Sequence, residues 1–541
     1  MTSPQLILED ARQYQPKIAN HYDKLTSGKD KEALLEELRQ FPSKEWTRIY
    51  RNIVEEKLEN RGATESSVGM SAQELNLQPP FRWIPTLKDF EPLSSEKLSP
   101  APPNETVILT TLNAVDSECT RRWRRLGLQS FAQGAVATVI MAGGQSTRLG
   151  GSIPKGCVVA TPISEKSLFQ IFCERLQRLK ALSITEGFEI TADAPLYIMT
   201  SREINDSTIS FFKEHDYFGL NPSCVTFFEQ SLAPTFDLQG NFLLKNATTL
   251  AKNPDGNGGI FRTLKEKGIL KDMHQRDVSY LHIFSVDNIL CKVADPVFIG
   301  YCLFCKAGIG NKCVTRSGPY ENVGVFCSKN ISLDGSSPET SQQRTGCVVE
   351  YSELSDDVRH SLDKESNTLL FSAGNICNHV FSLSIMDKLA ESSWMQHCYH
   401  IAYKVVPFYD TSKRCVVNPN TKNAIKLERF IFDAFECHRN IVGLEVAREE
   451  EFSPIKNAHG ADSPETAAAM VSALHNTWIK KAKIVVAPLT PETKIVCEVS
   501  PLLSYEGEGI DHLRRRKCLL SYPIYLADPE RPTGSTKVIS K

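Results

Sequence analysis

The chain has 541 residues, with 62 lysines and arginines against 64 aspartates and glutamates and a formal net charge of −2. Hydrophobic residues make up 41% and charged residues 23%. That balance is too apolar for a disordered chain and too neutral for one whose main work is coating nucleic acid or anionic membrane. The length suffices for about three domains, with cores that need no metal or disulfide staple.

No window approaches the ~20 apolar residues of a membrane span. The opening MTSPQLILEDARQYQ carries acids where a secretory leader has basic residues and then an apolar block. The sixteen cysteines are scattered, with Cys157, Cys173, Cys291, Cys327, Cys377 and Cys497 in apolar stretches. Such usage fits buried thiols in a reducing compartment, so a cytoplasmic location is expected. The final Ile-Ser-Lys is not the Ser-Lys-Leu peroxisomal address, although import into a peroxisome-like microbody by another route stays open. The CxxC of Cys302 and Cys305 lacks a second cysteine or histidine pair and reads as core.

Residues 1–100 read as an N-terminal helical domain, because DKEALLEELRQF and EWTRIYRNIVEEKLE repeat apolar residues every three or four positions. A Pro- and Ser-rich stretch from LQPPFRWIP to EKLSPAPPNET follows as a linker or wrapping segment. Residues 101–440 form the central domain, where short runs such as AVATVIMA, PLYIMTS, CVTFFEQ and SYLHIFSVDNIL alternate with helical stretches. That alternation predicts an α/β sheet covered on both faces. The polar SLDGSSPETSQQRTG (332–346) reads as a hairpin loop or insertion. Residues 441–541 read as a small C-terminal domain holding an acidic patch (REEEF), an Ala-rich helix (ETAAAMVSALHNTWIKKA) and its own strands. The basic runs RRWRR (121–125) and RRRK (514–517) read as solvated helix faces.

The chemistry concentrates in VATVIMAGGQSTRLGGSIPKG, residues 136–156. An apolar strand runs into Gly143-Gly144, where bare N–H groups can turn toward a ligand. Arg148 and Lys155 add two cations to a loop without an acid, and Pro154 stiffens the chain before the lysine. This composition suits a polyanionic tail such as a triphosphate. A P-loop is excluded because Lys155 is followed by Gly156, and the glycine spacing excludes a dinucleotide fingerprint. Asp287, in FSVDN, ends another apolar run, where a lone carboxylate can anchor Mg²⁺ (or Mn²⁺); Asp-Asn is also turn and capping chemistry.

MAGGQSTRLGGSIPKG resembles the signature of eukaryotic UDP-N-acetylglucosamine pyrophosphorylases, within the UDP-sugar pyrophosphorylase superfamily. FFEQ (227–230), NPDGNGGIFRTL (253–264), ENVGVFC (321–327), VVEYSEL (348–354), GNICNH (374–379), IKLERFIFDAF (425–435) and EFSPIKN (451–457) carry the resemblance onward in order. It covers the chain from about residue 100 and departs at Ser146, where the family has Gly or Ala. The implied fold is α/β: a central Rossmann-like nucleotidyltransferase domain with a mixed sheet, a helical N-terminal segment and a small α+β C-terminal domain.

The resemblance implies a nucleotidyltransferase joining UTP and N-acetylglucosamine 1-phosphate into UDP-N-acetylglucosamine and pyrophosphate, by in-line attack on the α-phosphorus. Arg148 and Lys155 would hold the triphosphate, Asp287 the Mg²⁺, and Lys426 the α-phosphate. Backbone at Met141, Ala142, Gly143 and Gly144, with Gln230 and Gly256, would receive the uridine. Asn257, Gly324, Glu350, Tyr351, Asn375 and Lys456 match sugar-phosphate positions, and Phe430 and Phe432 lie beside the sugar. On residues alone, Lys426 sits at the edge of a helical pattern with Leu427, Phe430 and Ile431, and those aromatics read equally as core. Gln145 favours the N-acetylhexosamine branch, since glucose-type relatives carry Leu there. A UDP-glucose or broad-specificity pyrophosphorylase is the alternative, and an inactive nucleotide-sugar binding regulator a third reading. A monomer or weak homodimer, with no nucleic acid and no membrane partner, completes the expectation.

Overall fold

The computed structural model describes residues 3–59, 77–78, 81–82, 107–144, 151, 153–331, 343–393, 395, 398–488, 494–515 and 519–527. The chain divides into two compact units. One, the helical unit, comprises Met1–Val68, Gln230–Glu266 and Leu389–Ala434; the other, the sheet unit, comprises Gly69–Glu229, Lys267–Lys388 and Phe435–Lys541.

At the centre of the sheet unit, Val136–Met141 is buried along its whole length, so VATVIM shows no polar alternation. It runs parallel to Tyr280–Ser285 on one side and to Leu196–Thr200 on the other. Val225–Glu229 extends that parallel edge. Ala373–Ser382 is antiparallel to both Tyr280–Ser285 and Ile309–Thr315, and Ile441–Val446 and Val107–Thr111 then follow in parallel. The sheet is therefore mixed. Val325–Ile331 and Gln343–Val349 pair from Val325↔Val349 to Ile331↔Gln343, so residues 343–346 of the expected 332–346 loop are strand; residues 332–342 lie outside the described residues.

The helices Ser117–Ala132 and Pro296–Phe304 meet backbone to backbone. A Cβ on Gly127 would lie 2.0 Å from the Pro296 carbonyl oxygen, and one on Gly300 1.8 Å from that of Trp123. Trp123 is thus the buried anchor within RRWRR, its ring 4.8 Å from that of Tyr301, and Arg124 departs from the expected solvated face, being half-buried in ion pairs with Glu186 and Glu506. Cys302 and Cys305 are core residues, and burial pushes the Cys305 thiol up to about 12.

In the C-terminal region, Ser463 and Thr466 form a capping box for Pro464–Lys481. This helix buries Val471, Leu474 and Trp478 in the same hydrophobic cluster as Ile140, Phe169 and Val293. Cys497–Val499 pairs with Ile524–Leu526, and between its cysteine and valine the buried Glu498 accepts the N–H groups of Ile163 and Ser164, each at 2.8 Å.

The helical unit opens with helices Pro4–Tyr14, Pro16–Lys24, Gly28–Gln40 and Ser43–Glu59. Their apolar faces share a core with Phe236, Phe242, Leu250, Ile425 and Leu427. Buried Gln15 clasps this core: its Nε2 donates to Thr47 Oγ1 (2.9 Å) and the Gly240 carbonyl (3.0 Å), and its Oε1 accepts from Phe242 N–H (2.7 Å).

One expectation is corrected here. Lys426 is not on a helix edge: Ala424–Glu428 is a strand, antiparallel to His400–Lys404 with Ala402 opposite Lys426. Ile425 and Leu427 point into the core on one face, so the alternation is of period two. A short apolar run does not distinguish a strand from a helix turn, and the flanking Ile431–Cys437, a 3₁₀ helix, supplied the apparent helical spacing.

Gly300→Ala tests the helix crossing. Overpacking against backbone leaves no flexible neighbour to yield, so the variant should lose about 1–3 kcal/mol or more. A lowered urea midpoint at unchanged slope is the expected result.

Candidate active site

The parallel strands Val136–Met141 and Tyr280–Ser285 are in register from Val136↔Tyr280 to Met141↔Ser285. Their carboxyl ends therefore open side by side, where ligands of open α/β sheets gather. From the first come Met141, Ala142, Gly143 and Gly144; from the second, Asp287. Arg148, Gln145 and Ser146 lie outside the described residues.

Lys155 returns to this end of the sheet. Pro154 precedes the 3₁₀ turn Lys155–Cys157, and Lys155 N–H donates to the Gly144 carbonyl at 3.4 Å. A Cβ on Gly156 would stand 2.2 Å from the Phe169 ring; this contact requires the glycine that broke the P-loop pattern. The Lys155 ammonium lies 3.7 Å from Asp287 Oδ2, with side chains 18% and 16% exposed. Among the described residues no three-ligand cluster surrounds Asp287. A single carboxylate at the end of a strand fits Mg²⁺, which keeps several waters and takes few protein ligands.

The loop carrying Asp287 is fixed from several sides. Asn288 Nδ2 donates to the Glu451 carbonyl (2.7 Å), and its Oδ1 accepts Ser453 N–H (2.9 Å). Ile455 N–H donates to the Asp287 carbonyl at 2.9 Å, which brings the half-buried Lys456 beside the same loop. Buried Arg175 donates to the carbonyls of Ile289 and Cys291, both at 2.7 Å. Farther along, the buried Lys312 ammonium bonds Asp295 at 2.5 Å and also Glu451, while Lys292 reaches Glu451 at 3.3 Å. Burial opposes ionisation of Asp295, but Lys312 and Lys292 outweigh it and hold this carboxyl below its ordinary value. His282 completes the brace. Its Nδ1 accepts Ala294 N–H at 3.0 Å, so Nε2 carries the proton toward Asn378 Oδ1 at 2.8 Å.

Four sugar-phosphate candidates of the sheet unit, Gly324, Glu350, Tyr351 and Asn375, gather at the open end of the 325–349 hairpin. Val325 faces Val349, so Gly324 and Glu350 flank the same end. Asn375 N–H donates to the Gly324 carbonyl at 2.8 Å, and a Cβ on Gly324 would lie 3.4 Å from Glu350 Oε1. Tyr351 is exposed beside them, its carbonyl held by Arg359 at 2.6 Å.

The remaining candidates belong to the helical unit. Gly256, at φ +78°, would place a Cβ 2.1 Å from the Arg429 carbonyl oxygen. Instead, NPDGNGG and KLERFIF zip together. Gly258 N–H donates to the Arg429 carbonyl (2.9 Å), Arg429 N–H to the Asp255 carbonyl (3.0 Å), and Ile431 N–H to Asn257 Oδ1 (3.0 Å). A buried ion pair between Arg429 and Asp255 seals the junction. Phe430 and Phe432 stack at 5.0 Å between centroids, Phe432 buried and Phe430 half-buried. Gln230 and Lys426 are half-buried.

Sequence reading missed the supporting groups Arg175, Asn288, Asp295, Lys312, Arg429 and Glu451. Glu451 stood in an apparent acidic surface patch, and only its place beside the Phe452 and Ile455 core positions hinted at burial.

Residues 87–499 match the family described as UTP–glucose-1-phosphate uridylyltransferase. The chain is 39% identical over 446 residues to the UDP-N-acetylhexosamine pyrophosphorylase-like protein 1 of Xenopus tropicalis, covering 80% of this chain and 84% of that protein. It is 38% identical over 424 residues to the UDP-N-acetylglucosamine pyrophosphorylase of Saccharomyces cerevisiae, covering 77% of this chain and 83% of that protein. In fold it matches the crystal structure of the uridine diphosphate N-acetylglucosamine pyrophosphorylase from Trypanosoma brucei in complex with inhibitor, with TM-score 0.74 at 24% identity over 98% of this chain and 99% of that one. The chain belongs to the UTP–glucose-1-phosphate uridylyltransferase family, as its motifs implied. No helix among the described residues is long and apolar enough to cross a membrane.

The buried histidines make stability pH-dependent. Burial lowers His282 to about 4 and both His379 and His475 to about 3, against about 6.5 when unfolded. The unfolded chain therefore binds protons that the native one refuses. Stability is complete above that ordinary value and is lost as pH falls below it, by on the order of 2 kcal/mol per histidine at pH 5. Denaturant titrations between pH 7 and 5, where most carboxylates stay ionised, should show this fall.

Proposed function

We propose that this protein is an enzyme that transfers uridylyl from UTP to N-acetylglucosamine 1-phosphate, releasing pyrophosphate. The observation that carries the reading is the Lys155–Asp287 pair, 3.7 Å apart at the carboxyl ends of two parallel strands and next to a glycine turn. Family membership supplies the reaction class, UTP with a sugar 1-phosphate, and the names of the relatives favour the N-acetylated sugar.

In this reading the sugar phosphate oxygen attacks the α-phosphorus in line and pyrophosphate departs. No covalent enzyme intermediate is needed, so positioning and charge neutralisation supply the rate. Backbone from Met141 to Gly144 receives the uridine and phosphates, and Lys155 with Arg148 meets the charge that grows on the leaving pyrophosphate. Asp287 would hold a Mg²⁺ (or Mn²⁺) ion, which would supply positive charge to neutralise the phosphates. Lys456, beside the Asp287 loop, is assigned to the sugar phosphate. Glu350 suits paired hydroxyls and Asn375 the acetamide of the sugar. Phe430 and Phe432 offer an apolar stack for the N-acetyl methyl, Asn257 and Gly256 the turn that fixes them, and Gln230 and Lys426 complete the assigned residues. A cytosolic location accords with the many buried free thiols.

A pyrophosphate-release assay with UTP and each of four sugar 1-phosphates (N-acetylglucosamine, N-acetylgalactosamine, glucose and galactose) tests the substrate. N-acetylglucosamine 1-phosphate should turn over at least as fast as any other; preference for glucose, or no release with any of them, overturns the reading. Lys155→Ala should lower kcat by about 10²–10³ through loss of a donor to developing charge. Asp287→Asn should raise the Mg²⁺ concentration needed for half-maximal rate.

A further inference from the structure

Outside the residues assigned above, the helical unit gathers three metal-ligating side chains of different chemistry. Sγ of Cys398, a ring nitrogen of His400 and a carboxylate oxygen of Asp433 all lie within 4.8 Å of one another. Their convergence follows from local geometry. Cys398 and His400 are two positions apart where the chain enters the His400–Lys404 strand, so their side chains share a face. Tyr399 between them turns the other way: it is buried, with the Arg429 guanidinium 5.0 Å over its ring. Asp433 arrives from the Ile431–Cys437 3₁₀ turn, with Oδ1 3.0 Å from His400 Nε2.

We propose that Cys398, His400 and Asp433 form a binding site for a borderline-soft divalent cation, Zn²⁺ or one of similar preference. Thiolate, imidazole and carboxylate are the donor types Zn²⁺ takes at about 2.3, 2.0–2.1 and 2.0–2.2 Å. Around a tetrahedral ion two such donors stand about 3.4–3.6 Å apart, so the observed separations, all within 4.8 Å, close by side-chain rotation of about 1 Å. Mg²⁺ would reject the sulfur. Three protein ligands leave a fourth tetrahedral position for water. Binding displaces one proton, from the Cys398 thiol to solvent, as the thiolate–metal bond forms.

The position gives such an ion leverage. Asp433 Oδ2 accepts the Phe430 N–H at 2.8 Å, and the His400 ring lies 4.6 Å from that of Phe430. An ion that fixes Asp433 and His400 also fixes the Phe430 backbone. The site would therefore tie metal occupancy to the aromatic pair without contributing a ligand from either ring.

Co²⁺ added to the full-length, chelator-treated protein tests this directly, because a cobalt–thiolate bond gives a near-ultraviolet charge-transfer band that an oxygen-only site such as Asp287 does not. The wild type should develop the band together with the visible bands of four-coordinate cobalt. Cys398→Ser should abolish the charge-transfer band, Cys415→Ser, at an exposed cysteine elsewhere in the unit, should retain it, and His400→Gln should weaken Co²⁺ binding by at least about tenfold. Absence of the band in the wild type, its persistence in Cys398→Ser, or its loss in Cys415→Ser overturns the proposal. Should circular dichroism show that Cys398→Ser does not fold, His400→Gln decides: unchanged affinity overturns the site, and the tenfold loss sustains it.

Discussion

The buried cluster of Lys312, Asp295, Lys292 and Glu451 is the constraint on which the sheet unit's site rests. Its members come from a strand, the loop after the Tyr280–Ser285 strand, and the short Arg448–Glu451 helix. Desolvating such charges costs several kcal/mol per ion, which mutual attraction offsets only when geometry is good and the other hydrogen bonds are made. Here Val297 N–H bonds Asp295 at 2.9 Å, and two ammonium groups serve Glu451. What the cluster secures is position. It ties the far end of the 287–295 loop to the segment leading into Ser453–Lys456, and the Asn288 and Ile455 hydrogen bonds close the near end. Asp287 and Lys456 are thus set by one scaffold.

The helical unit solves the same problem with backbone. There the NPDGNGG turn and the ERFI segment lie in main-chain contact, and the Arg429–Asp255 pair holds them. Gly256 is required both by its positive φ and by the Arg429 carbonyl a side chain would strike. A turn that looks flexible in sequence is therefore packed on one side, and Asn257 serves first as a backbone-holding group for Ile431. Apart from Met141, Asn375 and Lys426, which lie in strands, both units place their described assigned residues on irregular segments, and buried polar groups brace them.

The α/β class was legible because VATVIM, LYIMT and YLHIFS are strands buried on both faces, and their continuous apolar character survives in sequence. Asp287 and Lys155 were legible because each follows such a run at a strand end or beside a glycine turn. Lys426 was misplaced on a helix, since five residues with alternating Ile and Leu carry too few repeats to separate period two from 3.6. Glu451, Lys312 and Asp295 could not be found at all. Acids and lysines are nearly always exposed, and only their partners, 17 and 139 positions from Lys312, explain why these are not. The sharing of Asp433 by His400 and Phe430 N–H was hidden for the same reason.

In the proposed reading, the Lys155–Asp287 pair makes a site cationic toward phosphate without a buried unpaired charge. A half-buried lysine with no counterion loses solvation that nothing returns, and its protonated form is penalised. Pairing at 3.7 Å supplies the counterion while leaving the contact loose, longer than a direct charge-assisted hydrogen bond of about 2.7–2.9 Å. A phosphate oxygen can then replace the carboxylate as the nearer partner of Lys155 at small net cost, since one anion is exchanged for another in the same environment. The arrangement holds the ammonium beside Asp287 before any ligand arrives, so in the proposed reading reorganisation is not left to the moment of reaction.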